Sequence, residues 1–596
     1  QPLRLGPAAL TGADVSRAQA GSDPQSGMGW FVTVDLRGGG ADKWQKLTAD
    51  AACADPGDPR RRVAIVLDNE VISSPQVDPS VACGVGITGG TTQITGNFTF
   101  ETANELALLI SGGSLPVPVE VIEQRTVGPT LGAEAIEAST WASIIGVALT
   151  AIFIIVVYRL FGMLAAIALA CYGLISYAAL LGIGATLTLP GLAGFVLAIG
   201  MAVDANVLVF ERAREEYAAN PRKGLRPAVA GGFRNALSAI ADSNITTLLA
   251  AGLLFFLASG PVRGFGVTLS IGVLASMVSA LLITRVFAEF TVGRRAVRRH
   301  PLVTGLAKPG RVRTWLLERN PDLMRHGRRW LFFSAVVVAL AVAGIAVRGL
   351  NLGVEFTGGR LMEYSTTKPV DPEQARSALA DAGYPRVVVN ASGNGNLTVR
   401  SGSLTNEEEG EIEQVIGKLG GGVEQIRDEL IGPTLGEELR RNALIALVVA
   451  LAIQMLYLAF RFKWTFSVAA VAAMAHDVII LIGAFAWMGK PIDGVFLAAL
   501  LTIIGYSVND SVVVFDRVRE MLRDPASRKR TFASVANSAL LQTVPRTVNT
   551  GMGALFILIA LAILGGDTLT DFAIALLIGV IVGTYSSVFT ATPIAI

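Results

Sequence analysis

Two aspartates stand where acids are costly. Asp204 lies about halfway along an apolar run at 187–210, and Asp510 takes the neighbouring register of a matching run at 491–514. An ionised carboxylate deep in a bilayer costs at least ~2.5 kcal/mol, so such a residue faces the protein interior and has a partner. Desolvation favours the protonated acid and a nearby cation the charged one, so an aspartate that gains and loses a basic neighbour takes up and releases a proton. The chemistry is proton relay rather than bond making. Arg546, at the start of its own apolar run, is the expected partner of Asp510. Asn206, Asp242, Asn244, Asn509 and Asn549 read as a polar interior face, each individually more often an interhelical hydrogen-bonder than a relay member. His476 and Asp477 fall inside the run 466–488, where a satisfied core histidine competes with a proton role. Glu211, Arg212, Asp516 and Arg517 mark the membrane edge, where a solvated or snorkelling role suffices. Against the relay stands a bland alternative, buried polar pairing that only locks helices together.

The elements that must hold these residues follow from composition. Of 596 residues, 52% are hydrophobic and 16% charged, and the mean hydropathy is +0.55. Soluble domains carry roughly 25% charged residues, so the deficit points to many buried spans and excludes an ordinary cytoplasmic enzyme. The 49 basic and 47 acidic residues nearly cancel, which gives no reason to expect nucleic acid. Three histidines and three cysteines leave little material for a metal site, and no nucleophile elbow, Walker loop or zinc histidine pair occurs. No metal or cofactor is expected, protons being the coupling ion. Cys171 reads as a small packing residue; Cys53 and Cys83 either pair, if their domain meets an oxidising compartment, or remain lone thiols.

Residues 1–138 form a first polar domain, with β-like runs such as 63–67 and a helical stretch at 100–110. Five spans follow within 139–292, near 141–158, 161–183, 187–210, 236–257 and 264–287. A basic linker occupies 293–329, a single span 330–349, and a second polar domain 350–437. The latter's order of strand, helix, two strands, helix, strand predicts a ferredoxin-like unit. Five more spans fill 438–596, near 442–460, 466–488, 491–514, 543–564 and 569–594. Arginine-rich loops share the linker's side, which the positive-inside rule makes cytoplasmic and the two polar domains outer. Eleven spans with an outward first domain call for an anchor before Gln1, hence a parent of twelve spans in two sets of six.

The halves superpose at an offset of about 305 residues, an internal repeat. V-G-P-T-L-G at 127–132 recurs as I-G-P-T-L-G at 431–436; G-M-A-V-D-A-N-V-L-V-F-E-R from Gly200 recurs as G-Y-S-V-N-D-S-V-V-V-F-D-R from Gly505. Asn244 matches Asn549. Both halves keep the same order, so the repeat is parallel, with its site expected at the interface. G-P-T-L-G holds no acid, base or nucleophile. Gly128, Pro129 and Gly132, with Gly432, Pro433 and Gly436, therefore read as turns or hinges between outer domain and membrane. The fold expected is a polytopic α-helical membrane protein of two pseudo-symmetric helix sets with two α+β outer domains.

V-A-I-V-L-D-N-E-V-I-S-S-P, I-T-G-N-F-T-F-E-T-A, G-G-S-L-P-V-P-V, R-T-V-G-P-T-L-G and A-V-D-A-N-V-L-V-F-E-R resemble SecD. V-E-F-T-G-G-R, I-G-P-T-L-G, A-H-D-V and V-N-D-S-V-V-V-F-D-R-V-R-E resemble SecF. The chain thus resembles the SecD/SecF export family in fused order, within the resistance-nodulation-division superfamily. The resemblance implies an accessory motor of the Sec translocon in the bacterial inner membrane. Such a motor uses the proton gradient, without hydrolysing ATP itself, to assist export of unfolded polypeptide on the outer side. Its partners would be the translocon channel and associated membrane subunits, the secretory polypeptide and the lipid bilayer. By motif, Asp204 and Asp510 match the family's membrane carboxylates and Arg546 its membrane arginine, with Arg125 a further candidate at the outer boundary. Two other functions stay open: a proton-coupled exporter of small molecules or lipids, and a scaffold for translocon subunits.

Overall fold

A computed structural model of the chain describes residues 5–22, 29–67, 70–114, 121–258, 260–308, 310–392, 395–527 and 529–596. Parts of two quoted motifs, residues 68–69 and 115–120, fall outside these. Contacts divide the chain into Gln1–Val121 and Ile122–Ile596.

In the first unit, β1 (Val15–Ser22), β2 (Trp30–Leu36) and β5 (Thr91–Phe98) make an antiparallel sheet in the order β1-β2-β5, and β3 (Ile65–Leu67) pairs with β4 (Glu70–Ser73). The chain also forms α1 (Gly40–Ala51) and α2 (Phe100–Gly113). Thr99 caps α2, and Ala103, Leu106 and Ile110, spaced to share one helical face, pack on Val32, Val34 and Ile94 of the sheet. The expected strand and helix are both present. Of the two states left open for the cysteines, Cys53 and Cys83 form a disulfide, while Cys171 is free.

In the second unit the chain begins with β6 (Glu123–Val127), then α3 (Pro129–Gly182), α4 (Leu189–Ala219), α5 (Leu225–Leu257) and α6 (Gly260–Gly293). The first two expected spans are joined in α3 and separated only by a break at Arg159, whose φ is 50°. The linker is not a free tether. Its Gly305, at φ 76°, passes so close to the Tyr158 carbonyl that an added Cβ would lie 2.3 Å from the oxygen. Helix α7 (Met324–Arg348) leads to the second sheet, built from β7 (Gly359–Thr366), α8 (Pro372–Asp381), β8 (Val388–Ala391), β9 (Leu397–Ser401), α9 (Asn406–Gly420) and β10 (Val423–Ile431). Spans α10 (Pro433–Arg461), α11 (Trp464–Met488), α12 (Gly494–Arg523), α13 (Phe532–Leu564) and α14 (Leu569–Ala595) complete the chain. Among the described residues ten helices are long and apolar enough to cross a membrane, and the interrupted α3 is long enough to cross twice.

Strand order in the second sheet is β6-β10-β7-β9-β8, antiparallel throughout. The last four make the expected ferredoxin-like unit, with Met362, Tyr364, Leu379, Val399, Ile412 and Ile416 in its core. Strand β6 is a correction. Residues 123–127, expected in the first polar domain, add a fifth strand to the second sheet, because Arg125 and its neighbours pair with 427–431. Each G-P-T-L-G copy starts a helix with Pro at its first turn. The two copies are tied crosswise, Gly128 N–H to the Ile426 carbonyl at 2.9 Å and Gly432 N–H to the Ile122 carbonyl at 2.8 Å.

The helix sets repeat down to detail: α6 and α14 each widen into a π turn, at Ser279–Ile283 and Ser587–Ala591. Helices α4 and α13 pack across the halves, as do their counterparts α12 and α5. The repeat glycines lie at these crossings, Gly200 against Ala554 and Ile557, Gly505 against Thr247 and Ala250. Without a hydrophobic force between helices in lipid, such close approach carries the association. The same device joins α7 to α11, where an added Cβ at Gly483 would lie 2.5 Å from the Ala341 Cα. Gly483→Val should therefore destabilise the α7–α11 contact by about 1–3 kcal/mol, read as a lower thermal midpoint of the protein in detergent micelles.

Candidate functional site

Asp204 lies on α4 in the middle of the bundle. Arg546 Nη2, from α13, donates to its Oδ1 at 3.1 Å, and Asn509 Nδ2, from α12, donates to its Oδ2 at 2.9 Å. Three helices from two halves thus converge on one carboxylate. Arg546 follows Pro545, which has no N–H to give its helix ladder. Its side chain keeps only 4% of its surface against 17% for Asp204, and its Nε and Nη1 are buried without a hydrogen-bond partner among the described residues.

The expected pairing of Arg546 with Asp510 is one of neighbouring charge only: the arginine's hydrogen bonds go to Asp204. Asn509, not Asp510, is the repeat counterpart of Asp204, 305 residues away. One further residue turns a side chain by about 100° around the helix. Asp510, buried, therefore meets Thr547, whose Oγ1 lies 3.5 Å from its Oδ1.

The other candidates divide into separate groups. Asp242 accepts from Arg461 Nε at 2.8 Å and Tyr457 OH at 2.9 Å, bridging α5 to α10. Asn244 bonds its own helix at the Ile240 carbonyl. Asn206 is buried, with its Oδ1 unpartnered among the described residues. His476 Nδ1 lies 2.9 Å from Asp477 Oδ1, while Asp477 Oδ2 accepts from Ser507 and Ser586 at 2.6 and 2.7 Å. Asn549 reaches Tyr158 OH at 3.1 Å.

Glu211 corrects the expectation of a solvated edge. It is buried, pairs with Arg214 at 2.6 Å and accepts from Tyr158 OH at 2.8 Å. Arg214, equally buried, stacks on the Tyr158 ring and holds the Val157 and Gly305 carbonyls. Sequence reasoning missed this group, although Glu211 and Arg214 stand at i and i+3. Arg125 is found at the sheet end, bonded to Glu123 at 2.8 Å and Glu355 at 2.9 Å.

Three cavities follow one another along α5 and α12. The first is lined by Arg125, Leu257, Glu355, Leu497 and Leu501; the second by Asp204, Thr247, Tyr506, Asn509 and Arg546; the third by Glu211, Asn235, Asp516, Arg517 and Arg546. From Leu501 to Tyr506 the helix rises only about 7.5 Å. Arg546 borders both the second and third cavities.

A twofold-repeated helix bundle with a buried ion pair between its halves, lining one of three successive cavities and bordering the next, defines a membrane protein of the transporter type. Known proteins specify it further. The family described as protein export membrane protein SecD/SecF, C-terminal, matches residues 114–293 and 411–596, the SecDF P1 head subdomain matches 1–117, and the SecD/SecF GG motif matches 343–370. The protein translocase subunit SecDF of Thermus thermophilus is 38% identical over all of this chain and 78% of its own; those of Brucella abortus and Bacillus subtilis are 33% and 32% identical, over 98% and 84% of this chain and 75% and 69% of theirs. A crystal structure of Thermus SecDF, described as a translocon-associated membrane protein, superposes with TM-score 0.77 over 99% of this chain and 78% of that one. A second, of SecDF in a super-membrane-facing form, gives 0.63 at 37% identity, over 99% of this chain and 77% of that one. The chain belongs to the SecD/SecF family, as a fused SecDF subunit of protein export.

Breaking a buried ion pair from one side costs about 3–5 kcal/mol because the remaining charge is stranded. Arg546→Gln should accordingly lower thermal stability, and adding Asp204→Asn should restore part of the loss; strictly additive losses in this double-mutant cycle would show that the pair carries no coupling.

Proposed function

We propose that this chain uses the proton gradient, rather than ATP of its own, to assist export of unfolded polypeptide. It would do so as an accessory subunit of the Sec translocon in the bacterial inner membrane. Its two sheet-bearing domains would face outward, and its partners would be the translocon channel with its associated membrane subunits, the emerging chain and the lipid bilayer. The observation that carries the reading is the Asp204–Arg546–Asn509 contact between halves, which lines the second cavity and through Arg546 borders the third. The relatives' names, as translocase subunits and as a translocon-associated protein, support the partner.

A proton arriving from the outer cavity neutralises Asp204. The attraction to Arg546 then falls from ion pair to ordinary hydrogen bond, and α4 and α13 lose the charge that holds them together. The freed guanidinium faces the inner cavity that it already borders. Asp510, one residue beyond Asn509, is the second acid in reach of the same region and the natural place for a further proton. G-P-T-L-G links each helix set directly to the paired strands β6 and β10, so a shift between sets is transmitted to the outer sheet.

Asp204→Asn and Asp510→Asn are each expected to abolish proton-dependent export in membrane vesicles while the protein remains at normal levels in the membrane. Normal export by both variants would sink the proposal. Crosslinking along the first domain should capture a stalled secretory chain, which an exporter of small molecules would not.

A further inference from the structure

Two acids at the sheet end are not used by the route above. Glu355, in V-E-F-T-G-G-R, is 7% exposed. One of its oxygens accepts from Arg125 Nη1 at 2.9 Å and the other from the Gly494 backbone N–H. Asp493, in the turn preceding α12, accepts from the Phe496 N–H at 2.8 Å. Both carboxylates therefore close on the first turn of one helix, where the terminal N–H groups and the dipole favour negative charge. At the matching start of α4 stands Thr188, a neutral cap on Gly191 N–H, so the acid pair belongs to the second half alone.

The surroundings are few and charged. Strand β6 brings Arg125 and Glu123, β10 brings Arg427 and Glu429, β7 brings Glu363, and β9 brings Arg400. Helices α5, α10 and α12 contribute leucines, alanines and Asn442 around the outer cavity, into which Glu355 and Arg125 face. Burial, and then the charge of Glu355, push the Asp493 carboxyl up to about 7. It is neutral on the acid side of that value and ionised on the alkaline side.

We propose that Glu355 and Asp493 together hold one transferable proton at the outer mouth of the route, and that passing it inward loosens the link between Glu355 and α12. The inference rests on the proton-driven reading. While the proton is held, a single negative charge sits on the helix start, and Glu355 joins Gly494 to Arg125. When the proton leaves Asp493 for the Asp204 carboxylate further along the route, two like charges share one turn and repel. Glu355 then withdraws from Gly494, and Arg125 and strand β6 are released with it. Arg125 is in this scheme a positioning residue.

The test is an infrared pH titration of the full chain in lipid nanodiscs, with hydrogen exchange on the same samples. A protonated-carboxyl band should titrate near 7, vanish in Asp493→Asn, persist in Asp493→Glu, and shift to lower pH in Glu355→Gln, which removes the neighbouring charge. Corrected exchange of the β6 amides should rise severalfold through the midpoint in the native chain and stay flat in Asp493→Asn. A band that survives Asp493→Asn, or a midpoint that ignores Glu355→Gln, overturns the inference. The two readings fail separately. Loss of the titration overturns this one even where Asp204→Asn stops proton-dependent export, and an intact titration supports it even where export ignores the gradient.

Discussion

One buried arginine organises the molecule. Arg546 keeps almost none of its side-chain surface, and the groups that compensate it, Asp204 and through it Asn509, lie on other helices. Two unit charges about 4 Å apart attract by about 4 kcal/mol at an effective dielectric of 20. Moving a two-state equilibrium from 1:99 to 99:1 takes about 5.5 kcal/mol. On the proposed reading, a single neutralised carboxylate would bias the two halves strongly without committing them fully, leaving a second acid such as Asp510 something to add. The glycine crossings at Gly200 and Gly505 suit such a bias: they bring backbones close with little side-chain interdigitation to undo.

The repeat also explains where charge is placed. Asp204 and Asn509 are counterparts, and they touch. An acid in both copies would repel itself across the axis, whereas the amide donates the hydrogen bond that the acid needs. The same rule appears on the strands. Arg125 and Glu429 stand opposite each other in the β6–β10 ladder and occupy equivalent places in the two copies of the sequence around G-P-T-L-G. At both levels, near-symmetry of the backbone is combined with opposite chemistry where the copies meet.

Much of this was legible in the chain itself. Hydropathy located the spans, and the repeat named the two helices that carry the acids, since span length and motif order depend only on local sequence. Pattern and length likewise gave the ferredoxin-like unit. Partner choice was another matter. Arg546 hydrogen-bonds Asp204 rather than Asp510 because a helix turns about 100° per residue and α13 packs against α4 from the other half, and neither fact is written in one segment. Glu211 read as an edge residue because the closing contacts come from Tyr158 and from the linker at Gly305, over 50 and 90 residues away. Strand β6 was misplaced for the same reason: its ladder partner lies some 300 residues downstream.

That strand gives the protein's single-chain state a particular meaning. The first half supplies an edge to a sheet folded by the second, by the same backbone pairing through which separate proteins lend strands to one another. The fused chain is in this respect a heterodimer made covalent, its linker raising the local concentration of one half around the other. Two unlinked chains of the same sequences would carry the whole assembly instructions in their ladder and helix crossings, and would differ from the fusion chiefly in having to find each other by diffusion in the membrane plane.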